Sequence, residues 1–293
     1  MLRTWHRPLV VFGLAMAVLI PIALVGLLVD DRTVVNSPIW LKPLKFAVSL
    51  TIYAFTLAWL LTFLKKFQRA GWWAGTVLAL AGAAEMVVIV GQVVRGRRSH
   101  FNFETPLDTA LFSIMGSTIV VLWLTHAVVA VLLWRAEFGN EALAWSIRLG
   151  LVISFLGLGV GFLMTSPKPG QALDGGTLGS HTVGAPDGGA YMPLTGWSTE
   201  HGDLRVGHFI GMHALQVLPV VIALLGNRAN TKIAWVASAS FLGTFLLVTW
   251  QALRGQSLVQ PDGTTLLALA GIIAATALGL VWAREPEKEL VAA

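Results

Sequence analysis

Eight apolar stretches, each long enough to cross a bilayer, constrain this chain more than any other feature. They run over 8–29, 40–64, 72–95, 107–134, 142–164, 204–226, 233–254 and 263–283. A helix rises about 1.5 Å per residue, so roughly 20 apolar residues span a hydrocarbon layer of about 30 Å. Backbone polar groups in lipid must be satisfied internally, which leaves helices or a closed barrel. A barrel needs alternating segments of about 10 residues, and none is present. The expectation is an all-α polytopic membrane protein with eight transmembrane helices. Charged residues make up 12% of the chain, against about 25% in a soluble domain, so soluble and disordered readings are excluded.

The chain has no cysteine. That removes disulfides, thiolate metal sites, iron–sulfur clusters and cysteine nucleophiles. Its net charge of +5 sits at the ends of spans. The partners this suggests are membrane lipid and an anionic or amphipathic small molecule, not nucleic acid. Trp5, Trp40, Trp72, Trp73, Trp134 and Trp282 flank apolar runs, as interfacial residues do. The first run ends at Asp30-Asp31 without a small-residue cleavage site, which reads as a helix and not a removed signal peptide. Arg3 and Arg7 precede that helix, which predicts a multi-pass protein of the cell (inner) membrane with both termini cytoplasmic. In that orientation 11 of the 20 Lys and Arg residues lie inside. The outer ones cluster near helix ends, where residues that bind something would sit.

Three ordered matches predict a duplication. Leu41-Lys42-Pro43-Leu44-Lys45-Phe46 pairs with Leu204-Arg205-Val206-Gly207-His208-Phe209, Gln92-Val93-Val94-Arg95-Gly96 with Gln251-Ala252-Leu253-Arg254-Gly255, and Pro106, Thr109, Leu111 and Gly116 with Pro261, Thr264, Leu266 and Gly271. The offset drifts from 163 to 159 to 155 residues, as shortened loops allow. The units are 1–140 and 141–293, the second carrying a long extracytoplasmic loop, 165–203. Four spans per unit make the two repeats parallel (4+4), related by an axis along the membrane normal. The loop holds Asp174, Asp187, Glu200, His181 and His201. It is either a lid over an outer site or a plain connector.

Helical-wheel arithmetic at about 100° per residue gathers the polar residues of span six, Arg205, His208, His213 and Gln216, into one arc of about 140°. Lys42, Lys45, Ser49 and Tyr53 occupy the matching arc of span two. Side chains of this kind face a bundle interior or a wet cavity. Span three adds Glu85 and Gln92 on one face, Glu85 near the bilayer midplane, and its repeat partner adds Gln251. An intramembrane carboxylate is a functional candidate by default, and Glu85 is the candidate catalytic proton carrier. Arg95, Arg254 and His100 stand just beyond the helix ends. The expected cavity lining is therefore Lys42, Lys45, Tyr53, Glu85, Gln92, Arg95, His100, Arg205, His208, His213, Gln216, Gln251 and Arg254.

His100, His208 and His213 are the candidate metal or haem ligands. His208 and His213 lie about 140° apart and so do not share one metal in the way of an i, i+4 pair. A haem with one axial histidine, basic residues for its propionates and Trp and Phe around the ring is compatible with the composition. The other reading makes these histidines hydrogen-bond partners of an organic anion. His126, alone in span four, reads as a hydrogen-bonded core residue.

The strings Lys42-Pro-x-Lys45-Phe, Gln92-x-x-Arg95-Gly-x-x-Ser99-His100-Phe-Asn102 and His201-Gly-Asp203-Leu-Arg205-x-x-His208-x-x-x-x-His213-Ala-Leu-Gln216 resemble those of a bacterial family of eight-span membrane proteins over nearly the whole chain. That resemblance implies no activity. In architecture, eight spans from a doubled four-helix unit is similar to haem A synthase, whose even-numbered spans carry haem-ligating histidines. Here span two has Lys45, span eight has no histidine, and the family's Glu-x-x-His-Arg pattern is missing. Two bis-histidine haem sites are therefore not built. The resulting expectation is an outward-facing cavity for a haem, quinone-like or other anionic ligand serving redox chemistry, that is, a membrane oxidoreductase. The alternatives are a small-anion or proton-coupled transporter or channel, and a non-catalytic lipid-binding sensor or accessory subunit.

Overall fold

The computed structural model describes residues 4–167, 171 and 176–284. Arg3, Lys168, Asp174 and Lys288, which entered the charge and loop arguments, lie outside the described residues.

The apolar runs form helices, and those starting at Arg7, Pro106, Glu141, Leu204 and Thr231 begin at a side-chain cap. α1 (Arg7–Val29) starts at His6, whose Nδ1 accepts from the Leu9 amide. α2 (Leu41–Leu60) continues through a 3-10 turn, Leu61–Phe63. α3 (Gln68–Arg95) closes on Gly96 in the left-handed region. α4 (Pro106–Leu133) is capped by Thr105 and α5 (Glu141–Thr165) by Asn140. α6 (Leu204–Met212) is capped by Asp203 and is followed by α7 (Ala214–Leu225). α8 (Thr231–Leu253) starts at Asn230, and α9 (Gly263–Arg284) follows. Such caps satisfy amides that the first helical turn leaves without partners. Two short hairpins, β1–β2 (Thr33–Val34 with Ser37–Pro38) and β3–β4 (Thr182–Val183 with Gly202–Asp203), lie at one end of the bundle.

Among the described residues seven helices are long and apolar enough to cross a membrane, and the bent pair α6–α7 makes an eighth span if counted as one. The chain is thus an all-α, multi-pass membrane protein. α1 packs on α2, α3 on α4, α5 on α6, α7 and α8, and α8 on α9. A core of Leu57, Leu60, Leu78, Ile89, Met115 and Ile147 joins the first helices to α5, and Phe101, Val160, Leu204 and Phe245 form a second core.

The continuous span expected over 204–226 is broken at His213, where the chain turns by 48°. The cause lies in α5. Gly150, Ser154, Gly157 and Gly161 recur every three or four residues and present a nearly side-chain-free stripe. A Cβ on Gly211 would lie 2.6 Å from the Gly157 Cα, so the two backbones touch. The Ser154 hydroxyl donates to the Met212 carbonyl at 2.9 Å, and so fills an acceptor that the break leaves open.

A loop-capped candidate ligand site

The end of the bundle that holds both hairpins and the loops after α1, α3, α5 and α8 encloses a cavity of about 760 Å³. α2 contributes Lys42, Lys45 and Phe46, and α3 contributes Ile89 and Val93. The α3–α4 loop adds His100 and Phe101; α6 adds Arg205 and Phe209. The long loop covers them with His181, Asp187, Tyr191 and His201.

Of the two readings of that loop, its described part, 176–203, is a lid. Asp187 is its hub: the carboxylate accepts from Ser180 Oγ, Thr182 Oγ1, the Thr182 amide and His181 Nδ1, the last at 2.7 Å. Burial opposes ionisation of Asp187, yet the facing His181 and these donors hold its carboxyl below the usual carboxylate range. Asn36 Nδ2 donates to the Gly188 carbonyl, Ser257 Oγ to the Ser198 carbonyl, and Gln260 Nε2 to the Thr199 carbonyl. The lid is therefore tied to the β1–β2 turn and to the α8–α9 loop.

The three cations on the wall differ in their partners. Lys45 Nζ donates to the Thr195 carbonyl at 2.6 Å. Arg205 is bound to Asp203, which is 1% exposed, and to the Gly196 carbonyl. The Lys42 ammonium lies 5.8 Å from the centre of the Phe46 ring. Among the described residues it has neither a hydrogen-bond acceptor nor a carboxylate within ion-pair distance. Glu85 and Asp187 act on it only at longer range, and a half-buried ammonium that lacks a hydrogen-bond acceptor attracts an anionic or carbonyl oxygen.

Behind the wall sits Glu85, 2% exposed. Its Oε1 lies 3.4 Å from His100 Nε2, and its Oε2 is buried without a partner among the described residues. His100 Nδ1 is 3.2 Å from Ser99 Oγ. Burial holds the His100 imidazole well below its ordinary value, with Lys42, His181 and His208 adding to the effect, so the ring is neutral. The next residue, Phe101, has φ +58° although it carries a bulky side chain. Its ring meets His181 edge-on at 4.9 Å and His100 at 5.9 Å. Backbone strain of this kind persists where the surroundings over-determine it, and it collects at functional sites.

The other expected lining residues fall elsewhere. Ser49 Oγ donates to His213 Nε2 at 2.9 Å, and His213 Nδ1 donates to Gln216 Oε1 at 3.2 Å. Tyr53 donates to His126 Nδ1 at 2.8 Å, while His126 Nε2 donates to the Leu151 carbonyl. His126 is a hydrogen-bonded core residue. His208 Nδ1 donates to the Gly157 carbonyl at 2.8 Å. Of the expected lining, the structure places Lys42, Lys45, His100 and Arg205 on this cavity and Tyr53, Glu85, Gln92, Arg95, His208, His213, Gln216, Gln251 and Arg254 outside its wall. A helical wheel gives the direction of a side chain, not its depth, and the polar arcs run below the cavity floor.

Gln92 and Arg95, and likewise Gln251 and Arg254, are loop clamps. Gln92 Nε2 donates to the Arg98 carbonyl, and Gln251 Nε2 donates to the Ser257 carbonyl six residues on in the same way. Arg95 pairs with Asp108 at 2.6 Å and Arg254 with Asp262 at 2.5 Å. Gly96 and Gly255, at φ +68° and +74°, end both helices with the same turn. Arg95 also borders a second, open cavity of about 510 Å³ with Arg97, Arg98 and Glu104.

Among the described residues no three His, Cys, Asp or Glu side chains gather as a metal centre requires. The expected ligands His100, His208 and His213 do not converge on one point. His213 has both ring nitrogens engaged, and His100 has one facing Ser99 and the other facing Glu85. Sequence reasoning named His181 and Asp187 in the loop but left them out of the lining, because a loop has no periodicity to mark which of its side chains turn inward. The chain matches no protein-family model, no curated protein and no solved structure.

Proposed function

We propose that this chain is an inner-membrane protein of two parallel four-helix repeats whose extracytoplasmic cavity binds a small amphipathic anion, quinone-like or haem-like, for redox chemistry. The observation that carries the reading is Lys42. It is a cavity-wall ammonium with no carboxylate within ion-pair distance among the described residues, beside Phe46, and its main charged partner at longer range is Glu85 of the Glu85–His100 pair. Lys42 receives the anionic or carbonyl head of the ligand, and Phe46, Ile89 and Val93 receive its apolar body. A cavity of about 760 Å³ falls within the roughly 300–1,000 Å³ of small-molecule sites. Glu85 and His100 exchange a proton with the bound molecule.

The duplication is supported by the two Gln-x-x-Arg-Gly clamps and by the order of packing, since α1 on α2 corresponds to α5 on α6–α7, and α3 on α4 to α8 on α9. Both termini are then cytoplasmic and the cavity opens outward. His208 does not line the cavity, so it offers no ligand to a haem held there. One observation favours transport instead, the helix broken at His213, because discontinuous spans line the substrate sites of transporters. Against a through-path, the polar contacts end at His126, and Leu57, Ala58 and Leu60 are fully buried beyond Tyr53 on α2.

An absorption spectrum of the purified protein, oxidised and then reduced with dithionite, tests the redox reading. The expected result is a chromophore whose bands shift on reduction. A colourless protein with no quinone in its organic extract contradicts redox chemistry and leaves the anion-transport and lipid-binding alternatives.

A further inference from the structure

We propose that His181, on the lid, is the outer station of a proton relay that reaches Glu85 through His100. This rests on the reading of Glu85 as a proton exchanger. His181 and His100 both line the cavity, one from the lid and one from the floor, on either side of Phe101. The Nδ1–H of His181 is held by Asp187 at 2.7 Å, which fixes the tautomer and leaves Nε2 as the accepting nitrogen. His100 has the complementary arrangement, with Nδ1 toward Ser99 Oγ and Nε2 toward Glu85 Oε1 at 3.4 Å. The charged or titratable groups that face this line are Lys42 on α2, Asp187 on the lid, and Arg205 and His208 on α6.

The steps conserve charge and protons. Solvent at the lid protonates His181 Nε2. Water in the cavity passes that proton to His100 Nδ1. His100 Nε2 gives its own proton to Glu85 Oε1, which becomes a neutral carboxyl, and His100 ends neutral as it began. Tyr53 and His126 take no part, because their hydrogen bonds run to each other and to the Leu151 carbonyl. Glu85, deep in α3, is therefore loaded from the lid side.

The test is time-resolved infrared spectroscopy of the full chain in liposomes, stepped from alkaline to acidic buffer without added ligand. The Glu85 carboxyl band is the one lost in Glu85→Gln. The relay predicts that His181→Ala and His100→Gln slow the rise of this band by at least about tenfold. It also predicts that free imidazole in the buffer restores the rate in His181→Ala, which a misfolded variant would not show. An unchanged rate in His181→Ala, a slowed rate that imidazole fails to restore, or the absence of any Glu85 carboxyl band overturns the relay. Because no ligand is present, a relay in a protein that binds nothing would overturn the ligand reading alone.

Discussion

Gly157→Ala forces α5 and α6 apart and yields a protein that loses its thermal stability and its broken span. A methyl at this position falls inside the van der Waals envelope of the Gly211 carbonyl carbon and the Met212 nitrogen. These are backbone atoms and cannot rotate away. Overpacking costs roughly 1–3 kcal/mol where side chains can yield, so a clash with backbone lies at or beyond the top of that range. The damage spreads along the stripe. Ser154 loses the Met212 carbonyl, His208 loses the Gly157 carbonyl, and Arg205 and Phe209 withdraw from the cavity on the displaced helix. Gly116→Ala is the control, since a Cβ there meets nothing within 4 Å. Size-exclusion chromatography after graded heating should show a large fall in melting temperature for Gly157→Ala and none for Gly116→Ala. Equal melting temperatures would mean that the helix crossing is looser than described.

Asp203→Ala opens the lid. This carboxylate caps α6 through the Arg205 amide, accepts from the Ser198 amide at 2.8 Å and holds the Arg205 guanidinium, all while 1% exposed. Removing one member of a buried pair costs about 3–5 kcal/mol, because the other charge is left uncompensated. The lid between β3 and β4 then loses its anchor to α6. Limited proteolysis should cut within 176–203 in Asp203→Ala but not in the wild type. The double variant Asp203→Ala, Arg205→Met should recover part of the lost stability, since no orphan cation remains. A double variant no more stable than the single one would show that the cap and the Ser198 contact, not the ion pair, hold the lid.

Much of this molecule can be read from its residues, and the exceptions have a common cause. The observed helix limits lie within a few residues of the apolar runs, because hydrophobic length is a local property. The break at His213 is not local. No proline stands there, and Gly211 two residues earlier meets the small residues of a different helix, α5, with Ser154 supplying the missing hydrogen bond. The polar arcs on spans two and six do bring Lys42, Lys45 and Arg205 to one cavity. The same arcs continue to Tyr53, His213 and Gln216, which bond to one another or to His126 and Ser49 and lie deeper than the cavity. Gln92 and Arg95 match Gln251 and Arg254 in sequence, and both helices end in the same glycine turn, so the matching reflects a shared cap rather than a shared ligand. The lid residues His181 and Asp187 carried no pattern at all, since loops are specified by tertiary hydrogen bonds such as those around Asp187.

The measurement that bears most directly on the ligand site is native mass spectrometry of the protein released from detergent, wild type beside Lys42→Met. The substitution keeps the length of the side chain and removes its charge. The wild type should carry a discrete adduct, extractable as an amphipathic anion, and Lys42→Met should be bare at the same protein yield. An adduct equally abundant on both proteins, or none on the wild type, would contradict a cavity organised around Lys42.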